Sequence, residues 1–277
     1  MNIRSGMCTM EGMEWYDYII KAAAEGFEHV ELRVDSVNKD SRIFDTGYLK
    51  RIKELAEELQ VSLSIHSLVG TNLSEKVDRI RKTSVEIVSD VMIAGEEIGA
   101  KWVTTHMGSC GFSNSEVDRK YERLGYVARS IEDILSNTAG CETKLAVENM
   151  PRYLSRRGNC RLGDCVDELK YFFDILTHDN IKLVFDIAHA RINNYNPQYI
   201  KEYVNYLGSQ IIAIHAHWNN RKKDLHLPLT IGAIKEYTNG FEEAKGLDPI
   251  MYWLFECYSM RDNIKCQKLL KRYKDNE

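Results

Sequence analysis

The chain has 277 residues, 44% of them hydrophobic and 28% charged, and its 37 basic and 41 acidic residues give a net charge of −4. This composition is typical of a globular protein and excludes a disordered one. No apolar stretch reaches the ~20 residues that cross a bilayer, and the first residues lack the continuous apolar run of a signal peptide. We therefore expect a cytoplasmic protein without a membrane span. The mild acidic excess argues against a broad nucleic-acid-binding surface, and seven scattered cysteines without a CxxC pair predict reduced thiols.

Short β-branched or aromatic segments alternate with longer amphipathic segments, as strands alternate with helices in α/β proteins. In chain order, strands are predicted at residues 1–8, 29–34, 61–66, 102–106, 144–149, 182–186, 211–217 and 250–256. Helices are predicted at residues 14–25, 48–59, 73–98, 115–136, 163–176, 197–207, 231–243 and 261–273. Residues 151–160 and 218–226 are rich in Arg and Asn, and we predict irregular loops there.

Eight strands, each followed by a helix, predict an α/β fold in the form of a single (β/α)8 TIM barrel. The pattern is not interrupted by a linker or by a shift in composition, so we predict one domain over residues 1–277. A doubly wound open sheet is the alternative, but the strand number and the chain length favour a closed barrel.

Acidic residues and histidines end six of the eight predicted strands. They are His66, His106, Glu148, Asp186, His215 and Glu256. Because a barrel brings the carboxyl ends of its strands to one mouth, these side chains would converge there. A single histidine of this kind is ordinarily a hydrogen-bonded core residue. A buried set of carboxylates and imidazoles instead needs a balancing cation, and nitrogen and oxygen donors without thiolate suit Zn, Mn, Co, Fe or Mg.

Three further candidates follow the strand ends. His189 comes three residues after Asp186, and Asp224 and His226 form a DxH pair in the loop after His215. On an extended backbone the two residues of a DxH pair lie on the same side, which suits chelation. Glu31 and Arg33 also share one face of their strand, and an internal salt bridge between them is the simplest interpretation.

These residues resemble those of the xylose-isomerase-like TIM-barrel superfamily, which includes metal-dependent sugar isomerases and epimerases and the zinc-dependent apurinic endonucleases. The resemblance extends over the whole chain and includes the opening GFEHVELR. Ketose 3-epimerases of this group hold one divalent ion at the ends of their fifth to eighth strands. The resemblance implies that the equivalent ligands are Glu148, Asp186, His215 and Glu256. It also implies that His189 and Arg221 contact the substrate.

The endonuclease branch binds three zinc ions through nine ligands, and this chain has a residue for each position. They are His66, His106, Glu148, Asp186, His189, His215, Asp224, His226 and Glu256. The surrounding motifs differ from that branch. The chain reads SLVGTNL after His66, FDIAH around Asp186 and AHWNNRKKDLH after His215.

The resemblance therefore implies a divalent-metal-dependent sugar or sugar-phosphate isomerase or epimerase, in which Glu148 and Glu256 transfer protons. The cofactor would be one to three divalent ions, with Zn or Mn preferred, and the partner would be a small sugar or sugar phosphate. The alternative is a zinc-dependent apurinic/apyrimidinic endonuclease-like phosphodiesterase with a multinuclear zinc site and a nucleic-acid substrate. No membrane partner is expected, and the resemblance leaves both a monomer and a homodimer open.

Overall fold

The structure is a computed structural model that describes residues 2–9, 13–37, 42–111, 116–152, 159–194, 196, 198–242 and 250–275. Its strands are β1 (Asn2–Cys8), β2 (His29–Arg33), β3 (Ser62–His66), β4 (Trp102–His106), β5 (Ser109–Gly111), β6 (Lys144–Glu148), β7 (Asn159–Arg161), β8 (Ile181–Asp186), β9 (Ile211–Ala216) and β10 (Ile250–Phe255). Its α-helices are α1 (Trp15–Ala24), α2 (Val34–Val37), α3 (Thr46–Glu58), α4 (Asp78–Ile98), α5 (Glu116–Asn137), α6 (Val166–Ile175), α7 (Ile187–Asn193), α8 (Tyr199–Leu207), α9 (Ile231–Glu242) and α10 (Met260–Lys274).

Eight parallel strands of the described chain close into a barrel in the order β1-β10-β9-β8-β6-β4-β3-β2. The predicted TIM barrel is therefore confirmed, and the open-sheet alternative is wrong. Each predicted strand agrees with an observed strand to within one residue at either end. Because helices cover the outside of a closed parallel sheet, its strands are buried on both faces and read as continuous apolar runs.

The interior of the barrel has an apolar part and a polar part. Its apolar side chains are Cys8, Trp102, Ala146, Val184, Ala213 and Leu254. The polar part is centred on Glu31, whose Oε1 accepts hydrogen bonds from Thr104 at 2.6 Å and Ser64 at 3.4 Å. All three of these residues are fully buried. Within the described ranges, no helix has both the length and the apolar character that crossing a membrane requires.

The loops at the mouth contain structure that the sequence did not predict. Residues 109–111 and 159–161 pair as the antiparallel strands β5 and β7, although 151–160 was predicted as irregular; residues 153–158 lie outside the described ones. The helix predicted from residue 73 begins only at Asp78. The reason is Asn72, whose Oδ1 accepts hydrogen bonds from Ser74 Oγ at 2.7 Å and Ser109 N at 3.1 Å and so holds this segment against β5.

The short helix α7 also escaped prediction, and it determines where His189 lies. It begins directly after β8, and the Asp186 carboxylate accepts a hydrogen bond from His189 N at 2.6 Å. A side-chain oxygen that caps the first turn stabilises a helix that is otherwise too short to form. The cap turns His189 back toward the end of β8.

Gly108 provides a test of this loop arrangement. Its φ is +106°, and an added Cβ would overlap the Asn72 amide. We expect Gly108→Ala to lower the free energy of unfolding by about 2–4 kcal/mol, from left-handed backbone strain and steric overlap together. Urea denaturation measures this change. Gly125→Ala is the matched control, because a Cβ at this position within α5 meets nothing within 4 Å, and we expect it to stabilise the protein by about 0.5–1 kcal/mol. Equal effects of the two substitutions would contradict the assignment.

Candidate metal centre

The barrel brings the predicted ligands together at its mouth. The first group takes one residue from each of β6, β8 and β9 and one from the end of β10. Its members are Glu148, Asp186, His215 and Glu256, which are buried and offer ligand atoms within 4.8 Å of one another. His66 and His106, at the ends of β3 and β4, form a second such group with Glu148.

Glu148 is common to both groups because each of its oxygens faces histidine nitrogens. Oε2 lies 3.2 Å from Nε2 of His66 and 3.2 Å from Nε2 of His106. Oε1 lies 3.3 Å from Nδ1 of His215 and 3.4 Å from Nδ1 of His189. Burial alone would raise the pKa of Glu148, but the histidines around it hold this pKa well below its usual range. If divalent ions were held here, Glu148 would be a ligand common to both groups.

Asp224 is the centre of a further group, in the loop between β9 and α9. Its Oδ2 lies 3.1 Å from Nε2 of His189 and 3.1 Å from Nε2 of His226. Its Oδ1 lies 3.6 Å from Nε2 of His217, which in turn lies 3.1 Å from Asp186 Oδ2. The rings of His217 and His226 stack with their centroids 4.1 Å apart. All nine residues predicted as ligands therefore lie in one connected cluster.

The backbone fixes the tautomer of three of these histidines. Nδ1 of His66, His189 and His226 lies 2.8, 2.8 and 2.6 Å, respectively, from a backbone carbonyl oxygen. A carbonyl oxygen can only accept, so Nδ1 carries the hydrogen and Nε2 of the neutral ring carries a lone pair. Each of these lone pairs faces a carboxylate oxygen. Two acceptors are stable in this arrangement only if the ring is protonated or a cation lies between them.

The spacing of these atoms fits a divalent cation. Two donors bound to tetrahedral zinc at 2.0–2.1 Å are about 3.3 Å apart, close to the 3.1–3.2 Å between the Nε2 atoms and their carboxylate oxygens. Two buried atoms of the cluster, Asp224 Oδ1 and His217 Nδ1, have no hydrogen-bond partner within the described part of the chain. Buried polar atoms without a partner are rare, and a bound ion is one of their explanations.

Two residues of the site were not selected from the sequence. His217 lies two residues beyond His215, and the period of two along a strand is the signal that identifies it. Asn149 carries no such signal. Its side-chain amide accepts a hydrogen bond from Asp186 N at 2.7 Å and donates one to Asp186 O at 2.9 Å. Its backbone carbonyl accepts the Nδ1 hydrogen of His189, so Asn149 positions both ligands.

Glu31 lies inside the barrel and orients His215. Its Oε2 is 2.7 Å from Nε2 of His215, which leaves Nδ1 to face Glu148 and Glu256 at 3.3 Å each. Burial alone would raise the pKa of Glu31, but the charge and hydrogen bond of His215 lower it to about 2. Arg33 pairs instead with Glu256, at 3.1 Å. The predicted salt bridge between Glu31 and Arg33 is therefore wrong. Glu31 points into the interior and contacts His215, while Arg33 ends its strand at the mouth and contacts Glu256.

Arg221, predicted to contact the substrate, has different partners. Its Nη1 donates to the carbonyl oxygen of Asn194 at 3.1 Å, and its Nη2 pairs with Glu236 at 3.3 Å. Its backbone is left-handed, with φ +63°. These contacts hold the loop between β9 and α9 against α7 and α9. The predicted contact of Arg221 with substrate stays a prediction, as does that of His189.

The group centred on Asp224 predicts how pH changes the stability of the metal-free protein. Burial lowers the pKa of both histidines, but Asp186 and Asp224 raise that of His189 to about 10, and Glu256 and Asp224 raise that of His226 to about 9. Histidine in an unfolded chain titrates near 6.5. The resulting stabilisation is therefore complete below pH ~6.5 and is lost as the pH rises through 9 to 10.

We expect the Tm of the protein in EDTA to fall between pH 7 and 9, as measured by differential scanning calorimetry. Added Zn²⁺ should remove this slope, because neutral imidazole is the form that binds a metal. Asp224→Asn removes the charge that both histidines face and should flatten the slope in EDTA. The same slope in this variant as in the wild-type protein would contradict the assignment.

Comparison with known proteins agrees with the fold. The family model described as xylose isomerase-like TIM barrel matches residues 19–249. The uncharacterized protein MJ1311 of Methanocaldococcus jannaschii is 27% identical over 233 residues, which are 81% of this chain and 74% of that protein. A solved D-tagatose 3-epimerase-like protein has a TM-score of 0.78 at 22% identity, over 98% of this chain and 97% of that one. Endonuclease IV from Thermus thermophilus has a TM-score of 0.70 at 16% identity, over 99% of this chain and 100% of that one. These two structural likenesses show the fold alone. The match over residues 19–249 shows the family, and the chain belongs to the xylose isomerase-like TIM barrels.

Proposed function

We propose that the protein is a metal-dependent phosphodiester hydrolase with more than one divalent ion at the mouth of the barrel. The observation that carries the proposal is Glu148, whose two oxygens face nitrogen donors of different groups. A single ion in the first group would leave the remaining histidines facing carboxylates without a cation. Centres with two or more divalent ions are typical of enzymes that hydrolyse phosphate esters.

Three sets of donors would hold the ions, and the first two share Glu148. The sets are His66, His106 and Glu148; Glu148, Asp186, His215 and Glu256; and His189, Asp224 and His226 with His217 beside them. Divalent ions held there would supply a Lewis acid for a phosphoryl oxygen and would lower the pKa of water. Their identity, with Zn or Mn preferred, and their number are part of the proposal.

The chain's own residues prepare this site before any ligand arrives. Hydrogen bonds to backbone carbonyls hold His66, His189 and His226 in the orientation that binding requires, and Asn149 holds Asp186. Preorganised donors cost no reorientation at the moment of reaction. Three side chains of the site are partly exposed to solvent. The side chains of His106, Asp224 and His226 keep 12%, 12% and 14% of their surface exposed, so a substrate reaches the site past them.

The substrate we propose is a phosphodiester that contains a sugar. Endonuclease IV shares the fold, so a DNA duplex with an abasic site is the nucleic acid to test. The net charge of −4 favours a small diester over a long duplex, because DNA binding relies on basic side chains that neutralise phosphates. We also keep as proposals a single domain over residues 1–277, a cytoplasmic location and the open choice between monomer and homodimer.

The test combines metal content with hydrolysis. We expect more than one Zn or Mn per chain by mass spectrometry of the purified protein, together with hydrolysis of bis(p-nitrophenyl) phosphate or incision of an abasic-site duplex. Glu148→Gln removes the shared charge and should lower both the metal content and the rate, the rate by about a hundredfold or more. Glu168→Gln is the control, because Glu168 is a buried glutamate paired with Lys120 at 2.7 Å. It should keep both properties. One ion per chain with neither diester hydrolysed contradicts the proposal.

A sugar or sugar-phosphate isomerase or epimerase is the second candidate, and the first ligand group favours it. Glu148 and Glu256 converge with Asp186 and His215 on one point. Two carboxylates beside one bound carbon are what removal and return of a proton require. It ranks second because histidines face both oxygens of Glu148, and Arg33 contacts Oε1 of Glu256. Fewer oxygens are then available to take a proton.

Deuterium exchange tests this candidate separately. Under it, the Mn²⁺-loaded protein in D₂O should introduce solvent deuterium into a ketose such as D-psicose or into its phosphate, as measured by NMR. Glu256→Gln should abolish this uptake. Retained uptake in the variant would refute the role of Glu256, and no uptake by the wild-type protein with any ketose or ketose phosphate would count against the candidate itself.

A further inference from the structure

Arg33 is placed to do more than support the ligand cluster. It ends β2, and its Nη1 lies 3.1 Å from Oε1 of Glu256. Within the described ion pairs, the other basic side chains that contact the cluster's carboxylates are all histidines. Arg33 is therefore the permanent positive charge in direct contact with the cluster in this part of the chain.

The backbone of Arg33 is fixed by two hydrogen bonds, while its guanidinium contacts Glu256 at the mouth. Its N–H donates to Thr9 Oγ1 at 2.7 Å, and its carbonyl oxygen accepts from Trp15 Nε1 at 3.1 Å. Trp15 is fully buried, so this hydrogen bond fixes the backbone of Arg33 to the core. Its side chain nevertheless keeps 22% of its surface exposed. An arginine with an anchored backbone and a partly exposed side chain is suited to receive a ligand without a large loss of entropy.

Part of the mouth on the Glu256 side is exposed to solvent among the described residues. Tyr258 follows Glu256 by two residues and is 66% exposed, and its ring lies 4.9 Å from that of His226. The guanidinium of Arg33 adds a positive charge beside the four carboxylates of the cluster, which favours the approach of an anion on this side of the site. A guanidinium has five N–H donors in a planar fork that matches the oxygens of phosphate and carboxylate groups.

We propose that Arg33 binds an oxyanion of the substrate, carried by a phosphoryl or a carboxylate group, on the Glu256 side of the site. The substrate is then anionic beside its reacting group. This inference rests on the proposed function, which places the reaction at the ligand cluster. It applies equally to an anionic sugar under the second candidate, the isomerase or epimerase.

The experiment measures binding by isothermal titration calorimetry on the Mn²⁺-reconstituted protein, with inorganic phosphate and D-gluconate as probes. Arg33→Met keeps the apolar length and removes the charge. We expect its affinity for phosphate to fall about tenfold or more, as expected for the loss of one charge-assisted hydrogen bond. Arg33→Lys should be intermediate, because it keeps the charge and loses the fork. Arg4→Met is the matched control. Arg4 lies near the start of β1, at the opposite end of the barrel, with its Nη1 3.5 Å from the Tyr252 hydroxyl, and its replacement should leave binding unchanged.

Each outcome decides the proposal. Weaker binding of phosphate alone assigns Arg33 to a phosphoryl group, and weaker binding of gluconate alone assigns it to a carboxylate. Weaker binding of both probes supports a general oxyanion site. Unchanged affinity in an Arg33→Met protein with wild-type Mn content and circular dichroism overturns the proposal, as does a wild-type protein that binds neither probe. If Arg33→Met does not fold, Arg33→Gln is measured in its place with the same expectation.

The same variants separate this inference from the proposed function. Loss of phosphate binding in Arg33→Met, in a protein whose wild type hydrolyses neither diester, keeps the oxyanion site and rejects the hydrolase. Diester hydrolysis by the wild type, with phosphate affinity unchanged in the variant, keeps the hydrolase and rejects the role of Arg33.

Discussion

A buried carboxylate that meets histidine nitrogens at both of its oxygens needs a hydrogen or a cation between each close nitrogen–oxygen pair. Glu148 is in this position, with 2% of its surface exposed and nitrogens of four histidines within 3.4 Å. Burial of charge is costly unless it is balanced. Protons on the histidines or divalent ions between the donors can supply the balance, and the rest of the site follows from which of them does.

We propose the second answer, divalent ions, and the backbone contacts of the histidines are compatible with it. Carbonyl oxygens take the Nδ1 hydrogens of His66, His189 and His226, so the three rings present Nε2 to carboxylates in the same way. Glu31 sets the opposite orientation for His215, by taking its Nε2 hydrogen and turning Nδ1 toward the site. Residues that select a tautomer in this manner are a regular feature of metal sites. In the absence of metal, the same arrangement raises the pKa of His189 and His226.

Much of this organisation could be predicted from the sequence, because it depends on period and order. The alternation of apolar runs with amphipathic segments located every barrel strand to within one residue at either end. Parallel closure then brings the carboxyl ends of the strands together, so an acid or histidine at a strand end is a candidate for the mouth whatever its position in the chain. His66 and Glu256 lie 190 residues apart in the sequence and still belong to one cluster.

The features that could not be predicted depend on individual side-chain partners. Arg33 and Glu256 meet across 223 residues, and no local pattern distinguishes that pair from the predicted pair with Glu31. The Asn149 amide that extends the pairing of β6 with β8, and the Asp186 cap that begins α7, involve residue types that are common in loops. The β5 and β7 strands have three residues each, too few for a period to be recognised. His217 is the exception: it was not selected from the sequence, although its spacing of two residues from His215 is a signal that identifies it.

The most direct test of the account is anomalous diffraction at the zinc edge from crystals of the zinc-reconstituted protein. We expect two or more peaks in the mouth of the barrel, with a separate peak within bonding distance of each oxygen of Glu148. A single peak that touches only one of these oxygens, or none at all while Nε2 of His66 and His106 still faces Glu148, would contradict it.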